Sequence, residues 1–336
     1  MLARAFRARP AEVIFTSGGT EANNLAIIGL ALANHRGRHL ITTRIEHPSV
    51  LESCRYLARV HGFEVTELGV DRTGLIDLEQ LREAVHDDTS LVTIGLANGE
   101  VGTVQPVNEI AEIVRAGGAL LHSDAVQAAA SLPVSFGAGG WPGEAVHAMT
   151  VASHKFGGPQ GAGALLLRAG TVIEPLLHGG GQEGGRRAGT ENVAAIAGFA
   201  AAVRASMGDI GTRAMRLAAS RDELVRRVLA EVPGSRLTGH PTERLPGHAS
   251  FVIEGVSGES MLVALDTAGI AASAGSACAA GRDEPSPTLL AMGIDPVLAQ
   301  TAIRFTLPEP IGEPLIERIV EVLRDEVLVA ASKRGR

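Results

Sequence analysis

Cysteine is nearly absent. The two in 336 residues, Cys54 and Cys278, cannot build a disulfide framework, so a reducing cytoplasm is the expected compartment. Aromatic residues make up only 3% of the chain, which leaves Ala, Val, Leu and Ile to fill the core. It also removes the stacking platforms that single-stranded nucleic acid needs. Basic charge is not in excess: 30 Lys and Arg face 37 Asp and Glu, a net charge of −7, with no electrostatic footprint for DNA, RNA or an anionic membrane. The longest apolar runs, residues 25–33 and 193–203, fall well short of the roughly 20 residues of a bilayer span. The arginine-rich start, residues 1–10, reads as the tail of a helix and a turn leading into a strand, in preference to a transit peptide.

What is present points to a well-packed globular protein, 45% hydrophobic and too long for one small core. Over the first two-thirds, short apolar runs alternate with helix-period segments. Strands are expected at 13–16, 39–43, 63–68, 91–97, 119–123, 145–151 and 162–167, with helices at 21–33, 48–60, 77–85 and 107–116. That alternation means βαβ crossovers and a mostly parallel sheet covered on both faces. After a glycine-heavy loop at 179–189 the pattern changes to long helices at 191–205, 212–231 and 313–328. With a helix at 259–268 and strands at 249–253 and 302–307, they make a smaller α+β lobe. The expected division is residues 1–205 and 206–336.

The chemistry-bearing residues fall at strand ends, where such sheets bind ligands. Thr16-Ser-Gly-Gly-Thr20-Glu-Ala-Asn-Asn24 joins a strand to a helix, and its free N–H groups and dipole end suit a phosphate. A glycine turn with an N-cap threonine is common, so alone it is weak evidence. Asp124 ends a strand, as a helix cap would, but a carboxylate there also suits a cofactor ring nitrogen that must stay protonated. Lys155, in Val151-Ala-Ser-His-Lys-Phe-Gly-Gly158, is awkward to pack between an apolar strand and a glycine pair. Partly desolvated, its amine would become a carbonyl nucleophile able to form a Schiff base. The three together are far more specific than any one.

These segments, with Glu46-His-Pro-Ser49, His122-Ser-Asp-Ala-Val-Gln127, Gly179-Gly-Gly-Gln182, Arg187-Ala-Gly-Thr-Glu-Asn192, Ser273-Ala-Gly-Ser-Ala-Cys278 and Ile303-Arg-Phe305, resemble the cysteine desulfurases of class V aminotransferase type. The motifs run in order, with compatible spacing, from about residue 10 to the end. The resemblance implies the aspartate aminotransferase-like fold, with a seven-stranded-type sheet in the large domain, and pyridoxal 5'-phosphate held by Lys155. By the same resemblance, Gly19 and Thr20 bind the phosphate, and Ser153 and His154 flank it. His47 stacks on the ring and assists proton transfer, Asp124 pairs with the ring nitrogen, and Gln127 bonds the ring's phenolic oxygen. Thr190 reaches the phosphate of a neighbouring subunit, which implies a homodimer. Arg304 clamps the substrate carboxylate, for which its planar fork is suited.

Cys278 lies in a small-residue loop with little to pack against, and the resemblance makes it the thiol that takes sulfur from L-cysteine as a persulfide, leaving alanine. The loop length resembles the class that serves iron–sulfur scaffold proteins, so a sulfur acceptor is an expected partner. No metal site is expected beyond a transient iron–sulfur ligation by Cys278. Cys54, inside an apolar helix, reads as core.

Three departures from the family pattern stand out. Nothing before Leu2 matches the family's N-terminal segment, Gly99 replaces the second of two asparagines, and Ala152 stands where a phosphate-binding serine is frequent. The first two predict weakened turnover. They leave two alternatives open: a degenerate cofactor-binding paralogue, and another class V enzyme such as a selenocysteine lyase or aminotransferase.

Overall fold

The computed structural model describes residues 1–274 and 284–334. The chain divides into two compact units: Met1–Gly69 with Ile76–Ala97 and Gln105–Ile210, and Val70–Leu75 with Asn98–Val104 and Gly211–Arg336. The expected boundary near residue 205 falls inside a helix, Val193–Met207, and two short early segments join the second unit. Such segments carry no composition shift that a linear reading could detect.

The first unit is built on strands β1 (Val13–Thr16), β2 (His39–Thr43), β3 (Glu64–Leu68), β4 (Thr89–Thr93), β5 (Leu120–Asp124), β8 (Ala148–Ala152) and β9 (Gly163–Leu167). Between β5 and β8 lies a two-stranded pair, β6 (Val134–Ser135) and β7 (Trp141–Pro142). The main sheet has seven strands in the order β1-β9-β8-β5-β4-β2-β3. Neighbours from β8 to β3 are parallel, while β9 runs antiparallel to both β8 and β1. Every residue of β2, β4, β8 and β9 is buried. Strands covered on both faces read as near-continuous apolar runs, as β9 does, while β2 and β4 also bury threonine, serine or histidine.

Helices α1 (Leu2–Ala5), α2 (Gly19–Ala33), α3 (Pro48–His61), α4 (Leu78–Ala84), α5 (Val107–Ala116) and α6 (Val193–Met207) complete this unit. α2 is apolar almost all round, as a helix buried in a core must be. Its Leu25, Ile27 and Leu30 pack with Leu40 of β2, Leu91 of β4 and Leu165 of β9.

The second unit carries a three-stranded antiparallel sheet, β10 (Ser235–Leu237), β11 (His248–Ile253) and β12 (Ala302–Thr306), in that order. Its helices are α7 (Ile210–Glu231), α8 (Gly258–Thr267), α9 (Pro287–Ala291), α10 (Pro296–Ala299) and α11 (Glu313–Arg334). Phe251 and Phe305 meet edge to face, with centroids 6.4 Å apart, in a core with Leu224, Met261 and Leu323. Arg244, only 5% exposed, ties segment 98–104 into this unit. Its guanidinium donates to the carbonyls of Val101, Thr238, His240 and His248. No single helix among the described residues is long and apolar enough to cross a membrane.

Candidate active site

The carboxyl ends of β1, β2, β5 and β8 bring the first unit's expected site residues to one edge of the sheet. β1 ends at Thr16, whose hydroxyl donates to the Gly18 carbonyl at 2.9 Å. A Cβ on Gly19 would lie 3.0 Å from Val126 Cγ2 and 3.3 Å from Ala152 Cβ, so glycine lets α2 close onto the ends of β5 and β8. The N–H groups of the first turn of α2 have no carbonyl one turn earlier, and with the helix dipole they form an anion cradle. Glu21 braces it, accepting from the Ser17 N–H at 2.8 Å and from Arg187 at 2.8 and 3.3 Å. Desolvation would raise the Glu21 carboxyl, yet the Arg187 and Ser17 hydrogen bonds hold it below its usual range. Thr190 is exposed and lines, with Thr16 and Ser17, a groove of about 160 Å³.

Asp124 is the last residue of β5. Its Oδ1 accepts the Val126 N–H at 2.9 Å and its Oδ2 accepts from Asn23 Nδ2 at 2.7 Å. Gln127 is half-buried in the turn that follows. Lys155 and His154 stand on a 3-10 turn, Ser153–Phe156, directly after β8. Phe156 anchors that turn against Phe6 and Phe199, with centroids 6.2 and 5.8 Å away. Desolvation, and then the Lys155 ammonium, push the His154 imidazole below its ordinary value.

Lys155 is exposed, because the turn lifts it clear of the strand. Ser153, expected to flank the phosphate, is set differently from its neighbour His154. It is fully buried, with Oγ 2.3 Å from where a Cβ on Gly158 would stand and no hydrogen-bond partner for it among the described residues. The side chain facing Gly19 is instead Ala152, one residue earlier, because successive side chains of a strand alternate.

His47 is the N-cap of α3, and Nδ1 accepts the Ser49 N–H at 3.1 Å. Its capping role therefore uses one ring nitrogen and leaves Nε2 for chemistry. Glu46 beside it was not expected to matter. Its carboxyl accepts from Thr43 Oγ1 at 2.8 Å and from the Gly95 N–H at 3.0 Å. Burial, with a smaller push from the Asp124 charge, raises it to about 7 despite those bonds.

The native state thus holds the Glu46 proton more tightly than the unfolded chain, so stability is lost as pH rises from about 4.5 to about 7. Glu46→Gln keeps an acceptor for Gly95 and removes that loss. Part of Glu46 reaches solvent, so about 3 kcal/mol is the upper figure. Urea unfolding at pH 5.5 and 8.5 checks this: the variant should gain on the wild type only at the higher pH. An equal difference at both would reject the assignment.

In the second unit, Arg304 on β12 donates from Nη1 to the Gly99 carbonyl at 3.0 Å. Its backbone pairs with Ser273 in both directions, at 2.7 and 3.0 Å. The contact to residue 99 is to backbone, so it does not depend on which side chain stands there. Cys278 lies outside the described residues.

The aminotransferase class-V family model matches residues 2–307. The chain belongs to this family. It is 42% identical to the cysteine desulfurase IscS of Dictyoglomus turgidum, over 96% of this chain and 82% of that relative. It is 43% identical to the IscS-like cysteine desulfurase of Mycobacterium tuberculosis, over 96% and 83% respectively. Among solved structures, a NifS-like protein superposes with a TM-score of 0.87 at 33% identity, covering 98% of this chain and 86% of that one. SspA in complex with cysteine gives a TM-score of 0.77 at 32% identity, covering 91% and 84%.

Class V aminotransferases are pyridoxal phosphate enzymes. The residues present fit that group: a glycine-lined helix start for a phosphate, a carboxylate with both oxygens oriented, and an exposed amine on the neighbouring strand end. Only two lysines occur in the whole chain, and the other, Lys333, is in the last turn of α11. Asn23 and Ser49, which meet Asp124 and His47, lie inside the Thr16–Asn24 and Glu46–Ser49 motifs, but the sequence alone assigns neither of them a role. The available signal was an asparagine pair opening an otherwise apolar helix.

Proposed function

We propose that the chain is a pyridoxal phosphate-dependent cysteine desulfurase that converts L-cysteine to L-alanine. Cys278 takes the sulfur as a persulfide and passes it to an acceptor protein for iron–sulfur or other sulfur-cofactor assembly. The observation that carries this reading is the meeting of the α2 cradle, Asp124 and Lys155 at one sheet edge, in a chain similar to cysteine desulfurases over almost its whole length. A cytoplasmic homodimer is the proposed setting.

When bound, pyridoxal phosphate supplies an electron sink for negative charge at the substrate Cα. The first-turn N–H groups of α2, with Thr20, would bind the phosphate. The Asp124 carboxylate would hold the proton on the ring nitrogen, and Gln127 would donate to the phenolic oxygen. Lys155 Nζ would hold the cofactor and serve as the base for the Cα proton. His47 would help hold the ring and offer Nε2 for proton transfer. Arg304 is assigned the substrate carboxylate. The Cys278 thiolate attacks the substrate sulfur, so that a sulfur–sulfur bond forms as the carbon–sulfur bond breaks, and protonation of the carbon left behind yields alanine.

Product analysis tests the reading. With L-cysteine, pyridoxal phosphate and a thiol reductant, the purified chain should release alanine and sulfide in equal amounts. A keto acid product would instead indicate transamination, and absence of any product would indicate a cofactor-binding paralogue. Either result would overturn the proposal.

A further inference from the structure

One polar chain runs through an otherwise apolar part of the first unit. Asn23, 1% exposed on α2, points its amide nitrogen at two acceptors, Asp124 Oδ2 at 2.7 Å and Ser49 Oγ at 2.9 Å. Only the nitrogen end of the amide can face an ionised carboxylate, so the orientation of the group follows from its partner. Both amide hydrogens are then used. Ser49 Oγ accepts one of them, which leaves its own hydrogen to donate to His47 Nδ1, 2.7 Å away. The Ser49 N–H donates to the same nitrogen. Every bond in the series from Asn23 to His47 therefore has one polarity, and it leaves the neutral imidazole with its proton on Nε2.

We propose that Asn23 and Ser49 are positioning residues that join the Asp124 carboxylate to the His47 imidazole and hold that ring in one orientation, with Nε2–H as the only ring group left for substrate or cofactor. The inference deepens the proposed function and rests on it for what Asp124 and His47 touch.

Packing alone does not account for Asn23. Its Oδ1 is buried and has no partner among the described residues, and an amide with an unmet acceptor is a poor choice for stability. Its neighbours along α2, Ala22, Leu25, Ala26 and Ile27, are buried apolar residues. A leucine would fill such a place without that penalty. What the amide adds is a bond to each of two elements that carry expected cofactor contacts, β5 and α3.

The experiment follows the ¹⁵N resonance of His47 Nδ1, identified by its loss in His47→Gln, in the full chain with and without pyridoxal phosphate. In Ser49→Ala the resonance should move downfield, as a ring nitrogen does when it loses a donor, and Ser49→Thr should restore it. Asp124→Asn should move the resonance in the wild-type background and leave it still in Ser49→Ala and in Asn23→Ala. Alanine formation should fall about tenfold in Ser49→Ala, mostly in kcat, which corresponds to about 1.4 kcal/mol. The network is rejected if Ser49→Ala leaves the resonance in place, or if Asp124→Asn moves it equally with and without Ser49. If the coupling is present but the wild type forms no alanine, the network stands and the functional reading fails.

Discussion

Lys155→Ala is expected to abolish desulfuration, lowering alanine formation by about 10,000-fold or more, the scale seen when a covalent catalytic group is removed. The size follows from two duties assigned to one amine, covalent attachment of the cofactor and removal of the Cα proton. Composition makes the test unusually clean, because Lys333 is the only other lysine in the chain. It stands in the last turn of α11, an element of the other unit. Borohydride treatment of the wild type with pyridoxal phosphate should therefore fix the adduct on Lys155, and the alanine variant should carry none. The fold should be indifferent to the change. Lys155 is exposed, and its turn is held by backbone bonds from Ser153 to Ala162 and from Gly158 to Ser153, together with the Phe156 contacts. Surface substitutions of this kind usually stay within about 0.5 kcal/mol. An adduct on Lys333, or undiminished activity in the variant, would reject the assignment.

Cys278→Ala should stop sulfide release almost as completely while leaving cofactor binding intact. The argument is partly by contrast with Cys54, which is 1% exposed in α3. Burial, followed by the charges of Glu46 and Glu67, pushes the Cys54 thiol up to about 12. A thiol with that value presents almost no thiolate near neutral pH, and the thiolate is the nucleophile. After exposure to L-cysteine without reductant, intact mass and peptide mapping should find the extra sulfur on Cys278 and none on Cys54. Extra sulfur on Cys54, or wild-type sulfide release from Cys278→Ala, would sink this prediction. The flanks of the segment are well held: Ser273 pairs with Arg304, and Ser286 caps α9 and bonds the buried Glu100.

Much of this protein was decided along the chain itself. Short runs rich in β-branched and aliphatic residues, bounded by turn residues, mark strands, so β1 and β2 could be bounded to the residue and β8 and β9 to within a few. Glycine pairs and strand-end polar residues marked the cradle, Asp124 and Lys155, because short-range chemistry leaves short-range signals. What the sequence could not supply was distance between remote residues. Nothing along the chain says that β9 runs antiparallel, since a strand reads alike in either direction. Nothing says that Ser153 turns beneath Gly158 while Ala152 faces Gly19, because that choice belongs to the pleat and the turn after it. The bond from Asn23 to Asp124 spans 101 positions, and the pairing of Arg187 with Glu21 spans 166. Glu46 gains its raised pKa only when β2, β4 and β5 close around it. Hydrogen-bond networks and desolvation are properties of neighbours in space, and only the tertiary structure chooses those neighbours.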